Sequence, residues 1–183
     1  MNFEVASEEA PLTPEEEAQL RKIVLDSAPD ALSALENAQS EAEAFVYLPR
    51  AAAAAFQLER FDDAKKFAEQ ALALVPSFSK DWNAGNAIHL GHTVLGLLAL
   101  RWDDLEVAID ELIKSGDTPG LPQLNSFGPT MHLAKELLKR RQTEPVLVCL
   151  KACHEFWKMG GTWLDLWEGK IAAGQMPNCF QHS

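Results

Sequence analysis

Apolar residues recur along this chain at three- and four-residue intervals and nowhere alternate, so the pattern predicts helix almost throughout. "TPEEEAQLRKIVLDSA" opens with Thr13 as N-cap, Pro14 at the first helical position and Glu16 closing a capping box. A separate short helix is expected over "ALSALENA", capped by Asp30. In "EAFVYLPRAAAAAFQLERF" the helix is expected to start near Pro49 or shortly before it, because an interior proline removes a backbone hydrogen bond and clashes with the preceding turn. Further helices follow over residues 61–75 (ended by Pro76), 82–101, "DDLEVAIDELIKSG" and "PTMHLAKELLKRR", then "EPVLVCLKACHEFWKM" and "WLDLWEGKIAA", the last capped by Thr162 and Asp165. "SGDTPGLPQLNSFGP" is a long Pro/Gly/Asn/Ser connection.

The segment "WNAGNAIHLGHTVLGLLALRW", residues 82–102, departs from a simple amphipathic pattern. On a helical wheel Trp82, Asn86, His89 and Thr93 form one stripe, and Gly85, His92, Gly96 and Ala99 form a small-residue stripe beside it. Ile88, Val94, Leu95 and Leu98 cover the rest, so the helix is expected to be contacted on most sides. Each glycine costs about 1 kcal/mol against alanine, which implies a close neighbour. The Asn–His stripe must find partners, since an unpaired buried polar group costs about 1–3 kcal/mol. Two readings follow: the stripe fastens a loop through its backbone, or it lines a ligand pocket. The natural loop is "LPQLNSFGP", with Asn125 and Ser126; those two residues equally suit a turn or the cap of the next helix.

The chain also resembles itself. "RFDDAKKFAEQA" at 60 aligns with "RWDDLEVAIDEL" at 101, and "RRQTEPVLVCLKA" follows at 140. Each opens the second helix of a helix-turn-helix unit, a pattern of three stacked units that predicts a solenoid. Ala64, Ala68, Ala71 and Pro76 carry the spacing of the second helix of a tetratricopeptide repeat, and the resemblance covers residues 44–158. The later units have Leu105, Ile109 and Leu112 in place of small residues, and their period exceeds the family's ~34. "GNAIHLGH", "PQLNSFGPTMHLAKELL" and "FWKMGG" are similar to a group of small bacterial tetratricopeptide-like proteins. The resemblance implies an all-α, right-handed solenoid of antiparallel helix pairs that holds peptides or protein segments in a concave groove. The peptide-carboxylate clamp of some members needs Lys, Arg and Asn on the first helices, and here the first unit offers Arg50 among alanines.

Charge narrows the partners. The net charge is -11, and residues 1–46 hold 11 of the 27 Asp and Glu but only Arg21 and Lys22. Nucleic acid is therefore an unexpected ligand, as no basic stripe interleaved with aromatics offsets the global repulsion. No apolar run approaches the ~18 residues needed to cross a bilayer. The acidic N-terminus reads as neither signal nor transit peptide. Three cysteines, with Cys149 and Cys153 one helical turn apart, suggest reduced thiols and a cytoplasmic setting.

Catalytic patterning is sparse. His89 and His92, three apart on a helix, are weak candidates for a zinc ion, but no Glu-x-x-His pair supports a metal bundle, and no metal or cofactor is expected. His132 falls with Lys135, Glu136 and Lys139 on the polar side of its helix. Cys149 and Cys153 share an apolar face with Val146, Leu150 and Trp157 and read as core. Trp163, Trp167 and Ile171 share one side of the last helix, which suits docking as a C-terminal cap. The expected layout is an acidic flexible tail over 1–12, one helical-repeat domain over 13–175 and a C-terminal tail over 176–183. The function expected is non-enzymatic: an adaptor for a protein or peptide partner. The alternative is a small-molecule binder or enzyme with Trp82, Asn86, His89, Asn125 and Ser126 as ligand-binding residues.

Overall fold

The computed structural model describes residues 13–179, apart from the side chains of Leu121 and Gln123. Its regular elements in that range are all helical. They are α1 (Pro14–Glu36), α2 (Glu41–Gln57), α3 (Phe61–Leu74), α4 (Ala84–Arg101), α5 (Leu105–Gly116), α6 (Leu121–Phe127), α7 (His132–Lys139), α8 (Thr143–Phe156) and α9 (Gly161–Ala172). A 3-10 turn at Lys158–Gly160 precedes α9. The acidic tail expected over 1–12 lies outside the described residues, as do residues 180–183. Among the described residues no helix is long and apolar enough to cross a membrane.

α1 starts as its sequence dictates. The Thr13 hydroxyl accepts from the Glu16 N–H while the Glu16 carboxylate accepts from the Thr13 N–H at 2.8 Å. Two prolines then behave differently from expectation. α1 runs unbroken through Pro29, so no separate helix follows Asp30. Ala28 and Leu32 flank Pro29 and are buried in a cluster with Ala51, Ala52 and Ala55 of α2, and that burial holds both halves on one axis. Likewise α2 begins eight residues before Pro49, at the Ser40 N-cap, whose side chain accepts from the Glu43 N–H. Pro49 has no N–H to give the Phe45 carbonyl. The Asn83 side-chain amide supplies the missing donor, at 3.1 Å from Phe45 O and 3.2 Å from Val46 O.

Three helix connections share one geometry. α2–α3, α4–α5 and α7–α8 each pass through a left-handed residue: Glu59 (φ 59°), Asp103 (φ 61°) and Arg141 (φ 61°). Each is followed by a backbone N–H that reaches back into the preceding helix: Arg60 to Ala55 O, Asp104 to Ala99 O and Gln142 to Leu137 O. That is the 6→1 bond of a Schellman-type stop. The helix after each turn buries residues at matching positions: Ala64, Ala108 and Val146, then Ala68, Leu112 and Leu150. The structural register thus sets Arg60 against Asp104, three residues from the Arg60–Arg101 alignment suggested by the shared acidic pairs.

Successive helices from α1 to α5 pack each on the next, and α2 also packs on α4. α8 packs on α5, on α7 and on α9. The cluster around α2 and α3 is built largely of alanine, which permits close helix approach, whereas the cluster from α4 to α9 is filled by Leu, Met, Trp and the thiols of Cys149 and Cys153. All three cysteines are buried and unbridged. α9 starts at Gly161 with no side-chain cap, so Thr162 and Asp165 lie inside it. Its Leu164, Trp167 and Ile171 are buried, with the Trp167 ring tilted against those of Trp157 (centroids 5.9 Å apart) and Trp163 (6.2 Å). The chain then returns over the core, where Cys179 is fully buried and the Asn178 carbonyl accepts from Lys135 Nζ.

Candidate binding groove

The polar stripe of α4 resolves into tethers. His89 is 2% exposed. Its Nε2 lies 2.9 Å from the Thr130 N–H and its Nδ1 lies 2.9 Å from the Ser115 carbonyl. An amide can donate only to an unprotonated ring nitrogen, so Nε2 accepts and the proton sits on Nδ1, where it is donated to Ser115. Ser115 and Thr130 flank the connection from α5 to α7, so one imidazole pins both ends of that segment to α4. Burial holds the His89 pKa below the ordinary imidazole value, with the Ser115 carbonyl acting in the opposite sense.

The other stripe residues do not converge on His89. Trp82 lies before α4 and is largely exposed. Asn86 Nδ2 donates to Asn83 Oδ1 at 3.1 Å. Asn125 and Ser126 are exposed on α6, a short helix within the stretch expected to be a long Pro/Gly/Asn/Ser connection. Positive φ at Gly120 and Gly128 brackets that helix, and Phe127 at its end is 75% exposed. His92 bonds instead to Glu111, with Nδ1 2.7 Å from Glu111 Oε2. Burial tends to raise the Glu111 pKa, but hydrogen bonds from His92 and Lys114 outweigh it and hold the carboxyl below its usual range. Among the described residues no group of three or more His, Cys, Asp and Glu side chains is placed to hold a metal ion. His154 pairs with Glu168 of α9 at 3.1 Å.

The small-residue stripe has a steric reason. A Cβ at Gly85 would fall on the Gly120 carbonyl, and one at Gly96 would fall on the Leu133 side chain. The close neighbours implied by these glycines are therefore the α5–α7 connection and α7 itself.

The open concavity lies elsewhere. A cleft of about 270 Å³ is bounded by α1, α2 and α4, with Thr130 and His132 at its end. It adjoins a larger groove of about 750 Å³ walled by the first half of α1, the α2–α3 turn, the end of α4 and α7. Val24, Phe56, Gln57, Leu97 and His132 line both, so the two form one depression. None of Trp82, Asn86, His89, Asn125 and Ser126 lines it.

Its walls are mixed in character. Val24 is 36% exposed and Leu20 half-buried, giving an apolar strip on α1. His132, assigned by sequence to the polar side of α7, stands half-buried and edge-on to Phe56, with ring centroids 6.2 Å apart. Burial lowers its pKa. Lys135, Glu136 and Lys139 do share that face, and it is the face that walls the groove. Arg101 stacks over the Phe61 ring at 4.1 Å, within cation–π range. Sequence reading located the α7 polar face but could not see what stood opposite it. Compared with protein-family models, curated proteins and solved structures, the chain matches none.

Proposed function

We propose that this chain is a non-enzymatic adaptor that holds a protein segment or peptide in the groove between α1, α2, α4 and α7. The groove itself carries the reading: an open depression that four helices line with both apolar and charged side chains suits a chain segment laid in it. Within the same proposal the helix pairs α2–α3, α4–α5 and α7–α8 stack as tetratricopeptide-like antiparallel units in a right-handed solenoid, closed by α9. The shared turn geometry at Glu59, Asp103 and Arg141 supports that arrangement. So do the matching buried positions in the second helices. Three buried thiols without a disulfide suit a reducing cytoplasm.

The test is selection of binders from a displayed random-peptide library, followed by rechallenge with Val24→Arg. Val24 is partly exposed on the groove wall, so the arginine can be accommodated while it obstructs the floor. Peptides that bind the parent protein and lose binding to V24R are expected. A selection yielding no peptide sensitive to V24R would reject the groove as the binding surface.

A further inference from the structure

The groove's charge is opposite to that of the chain that forms it. Six of the protein's 16 Lys and Arg line the joined depression, against three of its 27 Asp and Glu. The cations are Arg21 on α1, Arg50 on α2, Arg101 on α4, Lys135 and Lys139 on α7, and Arg140 just after it. The carboxylates are Glu17, Glu59 and Glu136.

Among the described residues Arg21, Arg50 and Arg101 form no ion pair. Glu136 serves two cations at once, Lys139 at 2.6 Å and Arg140 at 3.1 Å. Arg101 is held by a neutral ring, a contact that fixes the cation without cancelling it. A protein of net charge -11 gains nothing in solubility from gathering cations in a depression. Fixed cations around an apolar floor are instead the arrangement that attracts and orients an anionic partner.

We infer that the segment taken by this groove is acidic, with carboxylates set on the cations of α1, α2, α4 and α7 and an apolar side chain lodged against Val24, Phe56 and Leu97. The inference rests on the groove-binding reading and names the chemistry of its occupant. Four separate helices contribute the cations, so they mark the length of a segment rather than one point where a small anion would sit. A nucleic acid fits less well. The floor offers aliphatic side chains more than stacking platforms.

The library peptides whose capture depends on Val24 supply the test. They are expected to be enriched in Asp and Glu around an apolar residue. A fluorescein-labelled representative should bind the K139E/R140E double variant about tenfold more weakly, since two exposed contacts turn from attraction to repulsion. Arg21→Glu, on the opposite wall, should weaken it in the same sense, and thermal melting of each variant verifies that it folds. Affinity should also fall as salt rises from about 50 to about 500 mM. Val24-dependent peptides with no acidic excess, or with affinities insensitive to these reversals, would overturn the inference and leave groove binding standing. Absence of any Val24-dependent peptide would overturn both. An oligo-dT probe that displaced the peptide and bound more tightly would overturn the acidic-segment assignment.

Discussion

The Asn83 side-chain amide stands 3.1 Å from the Phe45 carbonyl, the one that Pro49 leaves without its helical donor. A residue before α4 thereby completes the hydrogen bonding of α2, and an interior proline becomes tolerable. Asn83→Ala should cost about 1–3 kcal/mol, the penalty of an orphaned buried acceptor. In a Pro49→Ala background the residue 49 N–H returns to Phe45, and the cost of Asn83→Ala should shrink. Urea denaturation of the four proteins measures this coupling. Equal costs in both backgrounds would show that Asn83 acts through something other than the proline gap.

His89→Ala removes the donor to Ser115 and the acceptor for Thr130 together, so a loss of about 1–3 kcal/mol is expected. His92→Ala is the comparison, and its cost should be smaller because Glu111 keeps Lys114 at 3.1 Å. Amide hydrogen exchange adds a local readout: the Thr130 N–H should lose protection in H89A and keep it in H92A.

The same contacts set a pH dependence. His89 and His132 have folded-state pKa values below their ordinary ones. Below about pH 6.5 the unfolded imidazoles take up protons that the folded ones refuse, so stability rises with pH across that window. The stabilisation is therefore complete above about pH 6.5 and is lost progressively as pH falls toward the folded values. Denaturation midpoints measured from about pH 7.5 down to about pH 5.5 should decline, and the decline should be shallower in H89A. A flat profile for the parent protein would contradict the neutral, doubly bonded His89.

Legibility from sequence followed the range of the interaction. The Thr13–Glu16 box, the α4 span and the apolar side of α9 depend on residues within a few turns, and they were readable. Pro49 and Asp30 misled because their local preferences were overridden by Asn83 in one case and by burial of Ala28 and Leu32 in the other. His89 was recognisable as a group needing partners, yet its partners are backbone atoms of Ser115 and Thr130, which have no side-chain signature. The groove was hidden for a similar reason. Arg21, Arg50, Arg101 and "KELLKRR" are ordinary surface residues until the packing of α1, α2, α4 and α7 sets them around one depression.

Removing residues 162–183 strips α9 from α8 and exposes the side of Trp157 that Trp167 covers. Aggregation, or a clear drop in melting temperature, is expected by light scattering and circular dichroism. The milder Trp167→Ala, at a position 1% exposed, should cost about 3–5 kcal/mol. A truncated chain that stays monomeric with an unchanged melting curve would make α9 an appendage rather than a cap.

Gly85 and His89 act one turn apart on the same segment of chain, one admitting it and the other tying it down. Alanine at an ordinary helix position would gain about 1 kcal/mol over glycine. At Gly85 that gain is opposed by a backbone obstacle, since the new Cβ falls on the Gly120 carbonyl and the α5–α7 connection would have to move. At Gly96 the obstacle is the end of the Leu133 side chain rather than backbone. Overpacking costs about 1–3 kcal/mol, more where nothing can yield. Gly85→Ala should therefore be clearly destabilising and should also reduce protection of the Thr130 N–H, because shifting Gly120 strains the His89 tether. Gly96→Ala should be closer to neutral and leave that amide protected. Neither glycine lines the groove, so folded G85A should retain Val24-dependent peptides at near-parental affinity. A G85A protein more stable than the parent would mean that α4 and Gly120 do not approach closely, and the steric explanation of the small-residue stripe would fail with it.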